Sequence, residues 1–186
     1  MPAKKRSLLY SVRESRCLYD GFISKLVKDR FYLRGYPGKL FTRETLVHPG
    51  AVAILPWVDK KHIILLRQFR YAAKTFLWEI PAGTLEKGEH PLSCAKRELE
   101  EETGFSAKTF RKLSTFYPAP GVSSEIMHLF SANGLLPGQK HLDHDEWITH
   151  EVVAFRDALR MIQKGRIRDA KSIIAITWTR TFGQTV

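Results

Sequence analysis

The stretch "GTLEKGEHPLSCAKRELEEETGF", Gly83 to Phe105, constrains this chain more than any other. Pro91 suits a first helical position, where its missing amide is no loss and its fixed φ is already helical. Gly104 suits the left-handed residue just past a helix end. The spacing therefore predicts a helix over Pro91 to Thr103. At about 100° per residue, Leu92, Ala95 and Leu99 share one face that can pack on a sheet. Glu98, Glu101 and Glu102 share an adjoining face, and Glu100 points away toward solvent.

Like charges at these spacings repel by a few tenths of a kcal/mol per pair on an isolated helix, and by more when partly buried. A bound divalent cation reverses that sign. Mg²⁺ and Mn²⁺ take oxygen ligands and often only a few carboxylates, which leaves positions for water and substrate phosphate. Arg97 could brace one of the carboxylates in a bidentate pair.

The concentration of acid stands out because the chain is basic, with a net charge of +11. Such a surface suits anionic partners. The lysines and arginines are scattered, however, without a basic helix or an aromatic-basic interleave, so a dedicated nucleic-acid function is not the reading. A length of 186 residues suits one domain with a small appendage. No run approaches a membrane span. The first residues lack the apolar segment and cleavage site of a secretory signal, and Cys17 and Cys94 form neither a disulfide framework nor a zinc motif. These features point to a cytoplasmic protein.

Residues from about Arg16 to His48 read as short aromatic strands with turns at Asp20-Gly21 and Pro37-Gly38, an antiparallel meander too thin for a core of its own. It needs the rest of the chain or a second copy to pack on. "AVAILPWV" and "HIILLRQFRY" read as a hairpin of buried strands around Asp59-Lys60-Lys61. "FLWEIPAG", "FRKLSTFYPAPG", "EIMHLFSAN" and "WITHEVVAF" supply further strands, and "RDALRMIQKG" and "DAKSIIAITWTRTF" are amphipathic helices. Strands and helices mix without a regular βαβ repeat, which predicts an α/β protein with a mixed sheet covered by helices. Residues 1–48 form the expected N-terminal β subdomain, and 49–186 the main domain. "HLDHDE", His141 to Glu146, has metal-ligand residue types but reads as a polar loop.

The glutamate-rich stretch fits Gly-x5-Glu-x7-Arg-Glu-hydrophobic-x-Glu-Glu-x-Gly-hydrophobic at every fixed position: Gly83, Glu89, Arg97, Glu98, Leu99, Glu101, Glu102, Gly104 and Phe105. It resembles the signature of the Nudix hydrolases, which cleave nucleoside diphosphates linked to another moiety. That resemblance implies an α/β/α sandwich with the metals carried on a loop-helix-loop. Glu98, Glu101 and Glu102 would ligate Mg²⁺ (Mn²⁺ being the other ion considered), with Ala82 adding its backbone carbonyl. Glu89 and Arg97 would orient them.

"VHPGAVAIL", "LLRQFRY", "WEIPAGTLE", "YPAPGVSSE" and "IRDAKSI", with Pro120 beyond the box, resemble the ADP-ribose pyrophosphatase branch. By this resemblance Arg67 and Arg70 would grip the diphosphate, and Glu79 would sit near the ribose or the metals. Glu125 would close on the substrate as base or metal ligand, with Glu101 the other catalytic candidate. Phe22 would clamp the adenine, and the N-terminal β subdomain would exchange across a homodimer. This chain has Ala119 where relatives often have serine before Pro120-Gly121, which bears on fine positioning of the loop. Another nucleoside diphosphate sugar, NADH or a dinucleotide polyphosphate stays open as substrate. So does a nucleotide- or RNA-binding module without hydrolysis.

Overall fold

The fully apolar run Ala51–Trp57 organises the fold, because a strand buried on both faces must lie in the middle of a sheet. The computed structural model describes residues 9–139 and 147–183. The chain divides into two compact units, one of Met1–Pro49 with Ala119–Glu125, the other of Gly50–Pro118 with Ile126–Val186.

In the first unit, β1 (Tyr10–Asp20), β2 (Lys25–Leu33) and β3 (Leu40–Val47) form an antiparallel sheet in that order. The turns fall where Asp20-Gly21 and Pro37-Gly38 predict them. The first strand starts earlier than expected, at Tyr10, and is exposed along its whole length. No described residue before Gly50 is buried. Tyr10, Phe31, Phe41 and Tyr36 hold the sheet together with ring-centroid separations of 5.8, 6.1 and 5.6 Å along that series.

Residues 119–125 are tied to β3 by the backbone. The Leu46 amide donates to Val122 at 2.8 Å and the Ser124 amide to Leu46 at 3.0 Å. The His48 amide donates to Ser124 Oγ at 2.9 Å.

The second unit is built on β4 (Ala51–Trp57), β5 (His62–Arg70), β8 (Phe105–Phe116), β9 (Met127–Pro137) and β10 (Ile148–Ala154), in the order β10-β5-β4-β9-β8. The β4–β9 pair is parallel and the others are antiparallel, so the sheet is mixed as expected. Alternate residues of β4 enter two cores. Ala51, Ala53 and Leu55 pack with Ala158 and Met161 of α2 (Phe155–Gln163) and with Ala175 and Ile176 of α3 (Ala170–Phe182). Val52 and Ile54 pack with Cys94, Ala95 and Leu99 of α1 (Pro91–Thr103). Helices thus cover both faces of the sheet.

One expectation needs correction. β4 and β5 are buried, yet they pair only at Trp57 and Ile63, beside their connecting turn. Beyond that point they splay. β6 (Thr75–Glu79) takes the vacated edge of β5 and β7 (Ala82–Thr84) that of β4. The chain from Glu79 to Ala82 therefore crosses the opening, and the Pro81 carbonyl accepts from the Ile54 amide at 2.8 Å.

Candidate active site

The helix α1 begins with its predicted proline. His90 caps it, with Nδ1 accepting from the Leu92 amide at 3.2 Å. It ends at Gly104, whose φ of 75° is the left-handed conformation expected there. Its acids sit at the wrong end for stability. Glu100, Glu101 and Glu102 occupy the last turn, where the helix dipole favours cations, and no basic residue lies in that turn.

Arg97, one turn back, is their local counter-charge. Its Nε and Nη2 donate to the two oxygens of Glu89, both at 3.1 Å. Its Nη1 donates to Glu98 at 2.7 Å and to Glu101 at 2.9 Å. Glu89 is fixed in turn by the Glu86 amide, 3.0 Å from Oε2. The Arg97 hydrogen bonds, outweighing partial burial, hold the Glu89 carboxyl below its ordinary range. Gly83 faces this group, and a Cβ there would overlap the Glu98 carboxylate. Glycine is required at that point for closeness, not for its φ.

Glu102 is 4% exposed and accepts from the Ala82 amide at 2.9 Å. Glu100 does not simply face solvent, as the helical wheel suggests. It is partly buried and accepts from the Gln139 amide at 3.4 Å, because the segment after β9 passes the end of the helix.

Beside Ala82 lies a second charged group. Glu79 is 1% exposed. Arg70 donates to it bidentately, Nε to Oε1 at 2.9 Å and Nη2 to Oε2 at 2.7 Å. Lys171 Nζ donates to the same Oε2, and to Asp169 Oδ1 at 3.0 Å. Burial alone would push the Glu79 carboxyl up, but Arg70 and Lys171 outweigh it and hold the group ionised, below its ordinary range. The Arg70 guanidinium likewise stays charged despite burial, under the pull of Glu79, Glu102 and Asp169.

Sequence reasoning missed Lys171 and Asp169. A signal was available, since a lysine in the first turn of a helix opposes the dipole and needs a partner. Asp169 caps α3, accepting from the Ser172 amide at 2.9 Å, while Ser172 Oγ accepts from the Ile80 amide at 2.8 Å.

The second unit thus holds Arg70, Glu79, Ala82, Glu98, Glu101 and Glu102 around the gap between β4 and β5. Arg67 stands apart. Three residues from Arg70 on a strand, it points to the other face of the sheet, over the Phe76 ring at 5.3 Å from its centroid. Glu125 and Phe22 belong to the first unit, where the Glu125 amide donates to Ser123 Oγ at 3.1 Å and Phe22 is fully exposed in the β1–β2 turn. His141 to Glu146 lie outside the described residues.

Among the described residues, no three acidic, histidine or cysteine side chains stand grouped closely enough to hold a metal as they are placed. The donor chemistry nonetheless fits a hard divalent cation. All the donors are oxygens, they lie at the negative end of a helix, and Gly83 leaves room for Glu98. Among the described residues, no helix is long and apolar enough to cross a membrane.

The profile of the NUDIX domain matches residues 47–175. The chain belongs to the Nudix family. An ADP-ribose pyrophosphatase of Bacillus subtilis (strain 168) is 45% identical over 143 residues, 76% of this chain and 77% of that protein. A methanol dehydrogenase activator of Bacillus methanolicus is 37% identical over 163 residues, 87% of each. An ADP-ribose pyrophosphatase of Mycobacterium tuberculosis is 35% identical over 165 residues, 87% of this chain and 79% of that protein. A solved structure of an ADP compounds hydrolase shares the fold, with a TM-score of 0.81 at 21% identity over 95% of this chain and 97% of that one. The expected Nudix fold, a mixed sheet between helices with a small N-terminal antiparallel sheet, is therefore present.

Proposed function

We propose that this Nudix hydrolase cleaves the diphosphate of ADP-ribose, adding water across one P–O–P linkage to give AMP and ribose 5-phosphate. The observation that carries the reading is the Arg97-centred group. One guanidinium aligns Glu89, Glu98 and Glu101 beside Glu102, and Glu101 and Glu102 stand in the last turn of the helix, where its dipole disfavours acids. Glu98, Glu101, Glu102 and the Ala82 carbonyl would hold Mg²⁺ or Mn²⁺. When bound, the ion neutralises phosphate charge and lowers the pKa of the attacking water. Glu125 or Glu101 would accept the proton of the attacking water. Arg70, more than a third exposed, presents its charge to the diphosphate while Glu79 fixes its orientation. Arg67, on the opposite face of the sheet over Phe76, takes no part in that grip. Phe22 stacks on adenine.

The chain acts as a homodimer on this reading, since Tyr10, Val12, Leu18 and Tyr19 leave the N-terminal sheet with exposed apolar side chains. The cytoplasm suits its free thiols, Cys17 and Cys94. A second substrate has specific support, because a GDP-mannose pyrophosphatase of Escherichia coli (strain SMS-3-5 / SECEC) is 34% identical over 141 residues. Pure nucleotide or RNA binding is disfavoured, since a binder has no need of every box carboxylate.

The test is ADP-ribose and GDP-mannose turnover with Mg²⁺ by the wild-type protein and Glu102→Gln. Replacing this carboxylate should lower kcat at least about a hundredfold. Full activity in Glu102→Gln defeats the metal assignment, and no turnover by the wild type defeats the substrate reading.

A further inference from the structure

Two cations converge on the single carboxylate of Glu79. Arg70 alone satisfies both oxygens of Glu79 in a bidentate fork. Lys171 nevertheless donates to Oε2 as well. The two cations differ in access. Arg70 is 38% exposed, while Lys171 is 10% exposed and pinned from behind by Asp169. Of the three guanidinium nitrogens of Arg70, Nη1 takes no part in the fork.

A buried carboxylate with one counter-cation would hold that cation's charge to itself. Drawing the guanidinium toward another anion would leave Glu79 uncompensated, which is among the costliest states in a protein interior. A second cation on the same carboxylate removes that obstacle. We propose that Lys171 is a positioning residue. It neutralises Glu79 from the inside, so that the exposed Arg70 keeps its charge for the diphosphate of a nucleoside diphosphate sugar. α3 is built to deliver it. Asp169 caps the helix and holds Lys171 Nζ, and Ser172 anchors the Ile80 amide next to Glu79. Lys171 itself touches no substrate in this arrangement. The inference rests on the substrate reading above and adds to it the means by which Arg70 is made available.

The test measures binding apart from turnover. ADP-ribose is titrated calorimetrically in EDTA into wild type, Lys171→Met, Lys171→Arg and the double variant Glu79→Gln/Lys171→Met, with each fold verified by circular dichroism. Lys171→Met should weaken binding about tenfold, as expected for removing one charge near the ligand at partial screening. Lys171→Arg should recover most of it. The double variant should bind better than Lys171→Met, because the carboxylate that forks Arg70 is gone. Where Lys171→Met does not fold, the double variant is compared with Glu79→Gln alone, titrated likewise, with near-equal binding expected and a further loss of tenfold or more overturning the inference. In the full series, unchanged binding by Lys171→Met overturns it. So does a loss that persists unrelieved in the double variant, which marks a structural role only. A wild-type chain that neither binds ADP-ribose in EDTA nor turns it over with Mg²⁺ overturns the substrate reading itself, and this inference with it.

Discussion

Replacing Arg97 with methionine removes the cation that aligns the box while keeping the apolar stem of the side chain. Glu89 and Glu98 are mostly covered, at 14% and 12% exposure, so their bonds to Arg97 are protected from water. Glu101 is 37% exposed, and its bond contributes little. A charge-assisted hydrogen bond of the covered kind stabilises by about 1.5–3 kcal/mol. The bonds share one guanidinium and do not add, so the loss expected for Arg97→Met is about 3 kcal/mol. For a chain of this length that lowers Tm by roughly 6–12 °C. The carboxylates left behind face one another, so a divalent cation should bind the folded form more favourably than it binds the denatured chain. The assay is thermal unfolding of wild type and Arg97→Met, in EDTA and in excess Mg²⁺. The deficit should be large in EDTA and smaller in Mg²⁺. A Tm drop below about 3 °C in EDTA would mean that Arg97 is no brace. A deficit that Mg²⁺ leaves untouched would mean that the ion does not enter this group.

Two further outcomes follow from ionisation. Glu79 is held below its ordinary range, so its stabilising contribution is complete above the unfolded carboxylate pKa and disappears as pH falls through the lower folded value. Glu79→Gln should be less stable than wild type at neutral pH, with the gap closing in acid. Urea unfolding across that range measures it, and a constant gap would contradict the reasoning. The Cys94 thiol is pushed up to about 12 by burial, then by the charges of Glu98 and Glu89. At neutral pH only the exposed Cys17 should react with a disulfide reagent in the native protein, and both thiols in denaturant. Equal native rates would refute the burial of Cys94.

Much of this was legible because local rules agreed. Pro91 and Gly104 mark the two ends of α1, and the structure begins and ends the helix there. The turn signals divide the N-terminal sheet correctly, and the seven-residue apolar run is a strand buried on both faces. What stayed hidden depends on partners distant in sequence. Apolar runs show that β4 and β5 are buried, but not that they splay after Trp57 and admit β6 and β7 between them. Nothing near Glu79 announces Lys171, which lies 92 residues along the chain. The helical wheel sends Glu100 outward because it contains no information about the segment that ends β9. Arg67 and Arg70 look equivalent in "RQFR", and only strand alternation around a known neighbour, Glu79 for one and Phe76 for the other, separates them.

The backbone ties between β3 and residues 119–125 govern how this protein can be dissected. The chain passes from one unit to the other three times, at Pro49, at Pro118 and at Glu125, so no single cut separates them. Expression of Gly50 onward would strip Val122 and Ser124 of the strand that receives them. Anyone who swaps the N-terminal sheet for that of a relative must therefore transplant the heptapeptide from Ala119 to Glu125 with it, or redesign both edges together.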